Sequence, residues 1–401
     1  MDIKVQQRII SLDLLRGIAV FGILWMNIQS FSAPLAAYSN PTAYGDFSGA
    51  NFWAWAIANV FVEFKFMTLF SILFGAGIAI FYRRASEKGF DARALNTRRM
   101  QWLLVFGLIH GYFIWYGDIL FVYAVCGLIA VRFVETSTKR VLISASVMLA
   151  VPVLFIFLLS LLIAAGDAQL IIELTQEWAP PEALLQSEIY AYKSSWLDTR
   201  LASFPTAITF QFVGLVIYGW RALAGMLIGI VLLRIGFITA SMPLSRYRAV
   251  ALIALPIGLS VSAWGVIQNV AHHFSMEFSI GLGTLFNYFG SLATSLGYIA
   301  LVMLLCKSRA LLSFKSALAN VGKMAFTNYI MQSLICTFIF YGYGLNYFAE
   351  LSRVECLAIV IMVWLIQLCY STFWLSHFKQ GPLEKFWRYL TYRQLKTSTT
   401  T

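Results

Sequence analysis

Apolar runs long enough to cross a bilayer recur from one end of the chain to the other, and short polar stretches between them hold most of the charge. A spanning helix needs about 20 mostly apolar residues for a hydrocarbon layer roughly 30 Å thick. On that criterion the pattern predicts ten membrane helices, near 14–33, 52–82, 101–116, 118–134, 141–165, 206–233, 248–270, 280–306, 324–343 and 354–376. The second run is long for one crossing and is interrupted by Glu63 and Lys65, which predicts an interfacial or broken half-helix at its start. The third and fourth runs meet at Gly117-Asp118, a tight hairpin at the membrane surface. The expected fold is all-α: a polytopic membrane bundle over 1–376, with 166–205 as an outside cap loop holding about one helix. Residues 377–401 follow as an amphipathic helix and tail. There Pro382 suits a first helical turn, and Leu383, Phe386, Trp387 and Leu390 recur at helical spacing beside Lys385, Arg388 and Arg393.

Composition changes this picture little and charge sharpens it. A chain of 401 residues ordinarily means two or three soluble domains. Here 60% of residues are apolar and 12% charged, about half the charged share of a soluble domain. Placing both termini in the cytoplasm puts 23 of the 29 Lys and Arg in inside segments, from Lys4 and Arg8 at the start to Lys396 at the end. Only Lys193, Arg200 and Arg353 fall outside, and Arg16, Lys65 and Arg221 fall within spans. This asymmetry, alternating with every span, sets the orientation. It also accounts for the net charge of +11 without a nucleic-acid partner. The cap loop leans acidic, with Asp167, Glu173, Glu177, Glu182, Glu188 and Asp198. Asp13 and Arg16 break up the first apolar run, which argues against a cleaved signal peptide. The five cysteines show no metal-type spacing or disulfide framework, and no Walker-type loop or dinucleotide fingerprint supports ATP-driven transport.

Candidate chemistry therefore rests on polar groups where the bilayer makes them costly, about 2.5 kcal/mol or more for a charge at mid-membrane. Asp13 and Arg16, three apart, share a helix face, either as a self-neutralising anchor or with Arg16 lining an anionic-ligand site. Glu63 and Lys65, two apart, point in different directions, so each needs its own partner. His110 lies seven residues before Gly117, roughly 10 Å below the outer surface, and is a candidate general base. Asp118 is placed to cap the fourth helix or to orient His110. Arg221 has no acid nearby in sequence and must find partners across helices. Asn27 is a neutral polar group toward the outer half of the first span, and Gly225 and Gly229 form a small-residue packing pair. The basic 83–99 loop either sets topology or holds a phosphate-rich donor or lipid headgroups.

Several segments together resemble a known family: Arg8-Ile-Ile-Ser-Leu-Asp-Leu-Leu-Arg-Gly17, Phe70-Ser-Ile-Leu-Phe-Gly-Ala-Gly77, Gly117-Asp-Ile-Leu120, Val321-Gly-Lys-Met-Ala-Phe-Thr-Asn-Tyr329 with Gln332-Ser333, and Gly381-Pro-Leu-Glu-Lys-Phe-Trp-Arg388. Their order along nearly the whole chain is similar to that of the YeiB-like bacterial inner-membrane proteins, the domain of unknown function numbered 418. Asn328 enters the candidate binding set as part of that resemblance. The Asp13-x-x-Arg16-Gly17 start is more distantly similar to the transmembrane acyltransferase superfamily of the acyltransferase-3 and heparan glucosaminide acetyltransferase type. In acyltransferase-3 proteins an Arg is followed, after ten intervening residues, by a functional His; here that place holds Asn27, and an amide is no general base. The resemblance implies a membrane acyltransferase that takes an acyl-CoA-like donor at the basic inner face near Arg16. In this chain His110 would then supply the base, oriented by Glu63 or Asp118, toward an extracytoplasmic or lipid acceptor. Arg16, Asp13, Asn27, Lys65, Arg221 and Asn328 form the expected binding set. A solute transporter or channel, or a lipid-binding envelope scaffold, remain the alternatives, and the oligomeric state stays open.

Overall fold

Each of the ten apolar runs lies on a helix, and no strand occurs among the described residues. The computed structural model describes residues 9–166 and 168–393; Lys4, Arg8, Asp167, Lys396 and the tail beyond 393 lie outside the described residues. Along the chain come α1 (Ile10–Ser32), α2 (Ala36–Ser39), α3 (Gly49–Phe61), α4 (Lys65–Ser86), α5 (Ala92–Ile109), α6 (Leu120–Ala130) and α7 (Thr138–Ala164). Then follow α8 (Ala168–Trp178), α9 (Glu182–Tyr192), α10 (Trp196–Arg234), α11 (Leu244–Ala271), α12 (Met276–Ile280) and α13 (Leu282–Lys307). The last four are α14 (Leu312–Lys323), α15 (Ala325–Phe340), α16 (Arg353–His377) and α17 (Pro382–Tyr392). Seven helical stretches are long and apolar enough to cross a membrane, and Leu120–Phe133 and Ala325–Phe340 are apolar but shorter. The seven include α3 with α4 as one unit, and α12 with α13.

The outer helices expose apolar surface. Only 11% of the most apolar stretch of α7 is buried, and 28% of those of α11 and α16. Leu142, Ile143, Val147, Leu154, Phe155, Phe157, Leu161 and Leu162 are all exposed on α7. A continuous apolar surface of this extent is untenable in water and natural against hydrocarbon. The chain is accordingly a helical membrane protein.

Small residues let the inner helices approach to backbone contact. A Cβ at Gly229 would lie 1.9 Å from the Ile72 carbonyl oxygen, and one at Gly75 2.0 Å from that of Met226. The spaced pair Gly225 and Gly229 thus seats α10 on the Ser71–Gly75 face of α4, the packing that the spacing predicted. A Cβ at Gly322 would lie 1.8 Å from the Asp13 oxygen, and one at Gly17 2.2 Å from that of Leu318, so α14 lies directly on the start of α1.

Two boundaries differ from the hydropathy pattern. Residues 166–205 hold two helices, α8 and α9, together with the first turns of α10, rather than a loop with one. Helix α10 starts ten residues before its apolar run because Ser195 and Asp198 form a capping box ahead of it. This cap end of the bundle lies opposite the tail end, where α1 begins and α17 docks.

Candidate functional site

Near the cap end α5 does not finish as an α-helix. Residues His110–Ile114 form a π turn, in which the Trp115 N–H donates to the His110 carbonyl at 2.9 Å. Such turns frequently mark functional positions, since they rotate side chains out of the α register. His110 is 1% exposed and lies between two groups. Its Nδ1 is 2.8 Å from Asp118 Oδ1, and its Nε2 is 2.9 Å from Ser333 Oγ on α15. The other Asp118 oxygen accepts from the Phe121 N–H at 2.7 Å, so one carboxylate caps α6 and also orients the imidazole. Gly107 makes room for it: a Cβ there would lie 2.9 Å from Asp118 Oδ2.

The hydrogen-bond logic follows from the carboxylate, which only accepts when ionised. Asp118 draws the proton of neutral His110 to Nδ1, leaving Nε2 as the acceptor for the Ser333 hydroxyl. Serine, imidazole and carboxylate in that order form the arrangement that activates a hydroxyl nucleophile. The Tyr329 ring lies 5.1 Å from the imidazole, and its hydroxyl accepts from the Ile119 N–H at 3.3 Å. Gln211 of α10 is fully buried against Gly111, and both atoms of its amide lack a partner among the described residues. Ser333 and Gln211 were not picked out by sequence reasoning. Ser333 appeared only inside a family motif, and Gln211 carried no signal.

Glu63 takes no part in this site. It sits where the second run breaks, between α3 and α4, with Phe64 in the left-handed region at φ 60°. Its carboxylate accepts from the side-chain amides of Asn59 and Asn287. Lys65, fully buried, donates to Asn287 Oδ1 and to the Asn59 carbonyl, so Asn287 joins the two charges that the sequence left unpaired. Arg221 packs nearby and bonds Thr68 and Ser291 side chains at 2.9 and 2.6 Å and the Tyr288 carbonyl at 3.0 Å. Its cross-helix partners are thus neutral groups rather than an acid.

The remaining candidates separate. Asp13 and Arg16 pair at 3.1 Å at the tail end. Asn328 bonds the Val321 carbonyl and the Ser371 hydroxyl, which ties α15 to α14 and α16. Asn27 is half-buried and joins neither cluster. Of the basic 83–99 segment, Arg99 stacks between Phe81 and Trp387 at 4.9 and 4.4 Å, and Arg98 bonds the Thr391 carbonyl, so both help to hold α17. Cavities of about 220 Å³ at the cap end and about 310 Å³ at the tail end flank the bundle. The first is lined by Trp25, Gln29 and Arg353 and the second by Lys323 and Lys379, and neither reaches His110.

The family described as "Protein of unknown function (DUF418)" matches residues 231–394. The chain is 33% identical to the uncharacterized protein YeiB of Escherichia coli (strain K12), over 96% of this chain and 97% of that one. It is 31% identical to the uncharacterized protein YxaH of Bacillus subtilis (strain 168), over 96% and 94%. No solved structure matches significantly. With likeness of this degree along nearly the full length of both proteins, the chain belongs to the YeiB-like DUF418 family.

Proposed function

We propose that the protein is an acyltransferase of the bacterial inner membrane, crossing it ten times with both ends in the cytoplasm. The 23-to-3 division of Lys and Arg supports that orientation, and the bacterial relatives support the location. In this reading α17 lies at the cytoplasmic surface and the cap faces outward.

One observation carries the chemical reading: His110 bridges Asp118 and Ser333 at 2.8 and 2.9 Å. Ser333 Oγ attacks the thioester carbonyl of an acyl-CoA-like donor while Nε2 takes its proton. The C–S bond breaks, and the leaving thiolate recovers that proton from the imidazolium. An acceptor hydroxyl or amine then gives its proton to Nε2 and attacks the acyl-Ser333 ester, and Ser333 regains a hydrogen as it leaves. The buried Gln211 amide, unpartnered beside Gly111 of the same π turn, is the group assigned to donate to the developing oxyanion. Lys323 and Lys379 at the tail-end cavity, with Arg16, suit the phosphates of the donor.

The test is transfer of a radiolabelled acyl group from acyl-CoA to membrane-extracted acceptors by purified protein. His110→Ala should abolish transfer while leaving the thermal unfolding temperature near that of the wild type. Full activity in that variant would sink the assignment. A transporter is the second reading, favoured by the broken α3–α4 unit with Glu63, Lys65 and Arg221 around it, since broken helices with buried charges line solute paths in transporters. Solute uptake into proteoliposomes that is lost in Glu63→Gln but kept in His110→Ala would select it.

A further inference from the structure

Arg200, four residues into α10, is 6% exposed and is one of only three basic residues in segments assigned to the outside. A guanidinium does not give up its charge in a protein, and a buried charge without a counter-ion is costly. Yet no carboxylate pairs with Arg200 among the described residues. Three acids at this end are engaged elsewhere: Asp198 with Ser195, Glu188 with the Leu35 N–H, and Glu350 with Lys193. One guanidinium nitrogen, Nη1, donates to the Ile114 carbonyl at 2.8 Å, at the end of the π turn that begins with His110. The other edge, Nε with Nη2, has no partner.

That edge is the side-on fork that fits the two oxygens of a carboxylate or phosphate. Two further donors in the same aromatic cluster are also buried without a partner. One is the Tyr341 hydroxyl, whose ring lies 5.8 Å from the guanidinium carbon, and the other is Trp115 Nε1, one residue beyond Ile114. Three elements thus bring buried donors without a partner, and one guanidinium that no described carboxylate balances, into the same aromatic region beside the His110 turn.

We infer that Arg200, with Tyr341 and Trp115, forms a binding site for an oxyanion, a carboxylate or phosphate group. Resting on the acyl-transfer reading, we assign that anion to the acceptor, held at the cap end while its nucleophile reaches His110. The donors are buried, with Tyr192 of α9 packed against Tyr341, so α9 must shift to admit the anion, and its charge then holds the closed arrangement. The anion is either that of a free solute or that of a lipid headgroup.

The experiment measures thermal unfolding of the full-length protein in nanodiscs. One arm titrates acetate and inorganic phosphate into phosphatidylcholine discs at matched ionic strength. The other replaces part of the lipid with phosphatidylglycerol and adds no probe. Stabilisation is expected in the first arm for a free acceptor, or in the second alone for a lipid one. Arg200→Gln should remove it. Arg200→Lys keeps the charge, and hence the fold, but lacks the fork; it should weaken probe binding by about 30-fold or more. His110→Ala should bind the probe as the wild type does, which separates this site from the fate of the transfer reaction. No stabilisation of the wild type in either arm, or a response in both Arg200 variants equal to that of the wild type, overturns the inference.

Discussion

In the proposed reaction the deciding residue is Asp118, because it fixes which nitrogen of His110 carries the proton. Asp118→Asn keeps the shape but can turn its amide N–H toward Nδ1, which places the imidazole proton on Nε2 and removes the acceptor for Ser333. A fall in the transfer rate of about 10³–10⁴-fold is expected, with little change in unfolding temperature, as in other serine–histidine–aspartate systems. The His110–Asp118 half of this site is legible in the sequence, since eight residues and a Gly-Asp hairpin bring the two together. The Ser333 half is not: it arrives from 223 residues away, and a serine within a membrane helix is unremarkable by itself. Glu63 failed as a partner of His110 because position along a run says nothing of the face it shares. A second residue-scale prediction concerns Glu188 of the cap, where burial raises the carboxyl above its usual range and the Leu35 N–H only partly offsets this. Its destabilising effect is absent below the usual carboxylate range and grows as pH rises through the interval up to the raised value. Unfolding temperatures of Glu188→Gln and wild type should therefore coincide in acid and diverge toward neutral pH, with the variant the more stable; a constant gap at every pH would refute this.

At the element scale, contact between helices depends on a few glycines and one carboxylate. Adding a methyl at Gly322 forces α14 off α1, because the new atom meets the Asp13 carbonyl rather than a side chain that can turn away. Gly322→Ala should cost about 1–3 kcal/mol or more, read as a lower unfolding temperature in detergent. The break between α14 and α15 at Met324 is capped from a distance. Glu384 of α17 accepts from the Phe326 and Thr327 N–H groups at 2.8 and 3.1 Å and from the Thr327 hydroxyl at 2.6 Å. A carboxylate at a helix N-terminus is worth about 0.5–2 kcal/mol. Glu384→Ala should release α17, making the 378–393 segment newly sensitive to protease while the bundle stays folded. The spans were legible because 20-residue apolar runs have few other uses, and Glu63 with Lys65 marked the α3–α4 break. The α14–α15 break was hidden, since its cap comes from a residue 57 positions away. The π turn at His110 was hidden as well, because apolar periodicity does not distinguish it from an α turn.

For the whole molecule, the proposed reaction requires that paths open to His110 from a cytoplasmic donor on one face and an acceptor on the other, since neither cavity reaches it at rest. Reporter fusions should place the Lys88 turn and the segment after Tyr392 inside, and the His272–Ser275 turn outside. A reporter active outside at Lys88 would invert the topology and with it the direction of transfer. The apolar runs predicted an all-helical bundle, as found, whereas the clustering of polar groups into two separate sites depends on packing that no single sequence displays. The most direct test of the central claim is mass spectrometry of the purified protein after incubation with an acyl-CoA and no acceptor. An added acyl mass is expected on a peptide containing Ser333, absent from Ser333→Ala and His110→Ala and discharged when acceptor is supplied. Undiminished transfer by Ser333→Ala, with no acylated peptide in the wild type, would contradict it.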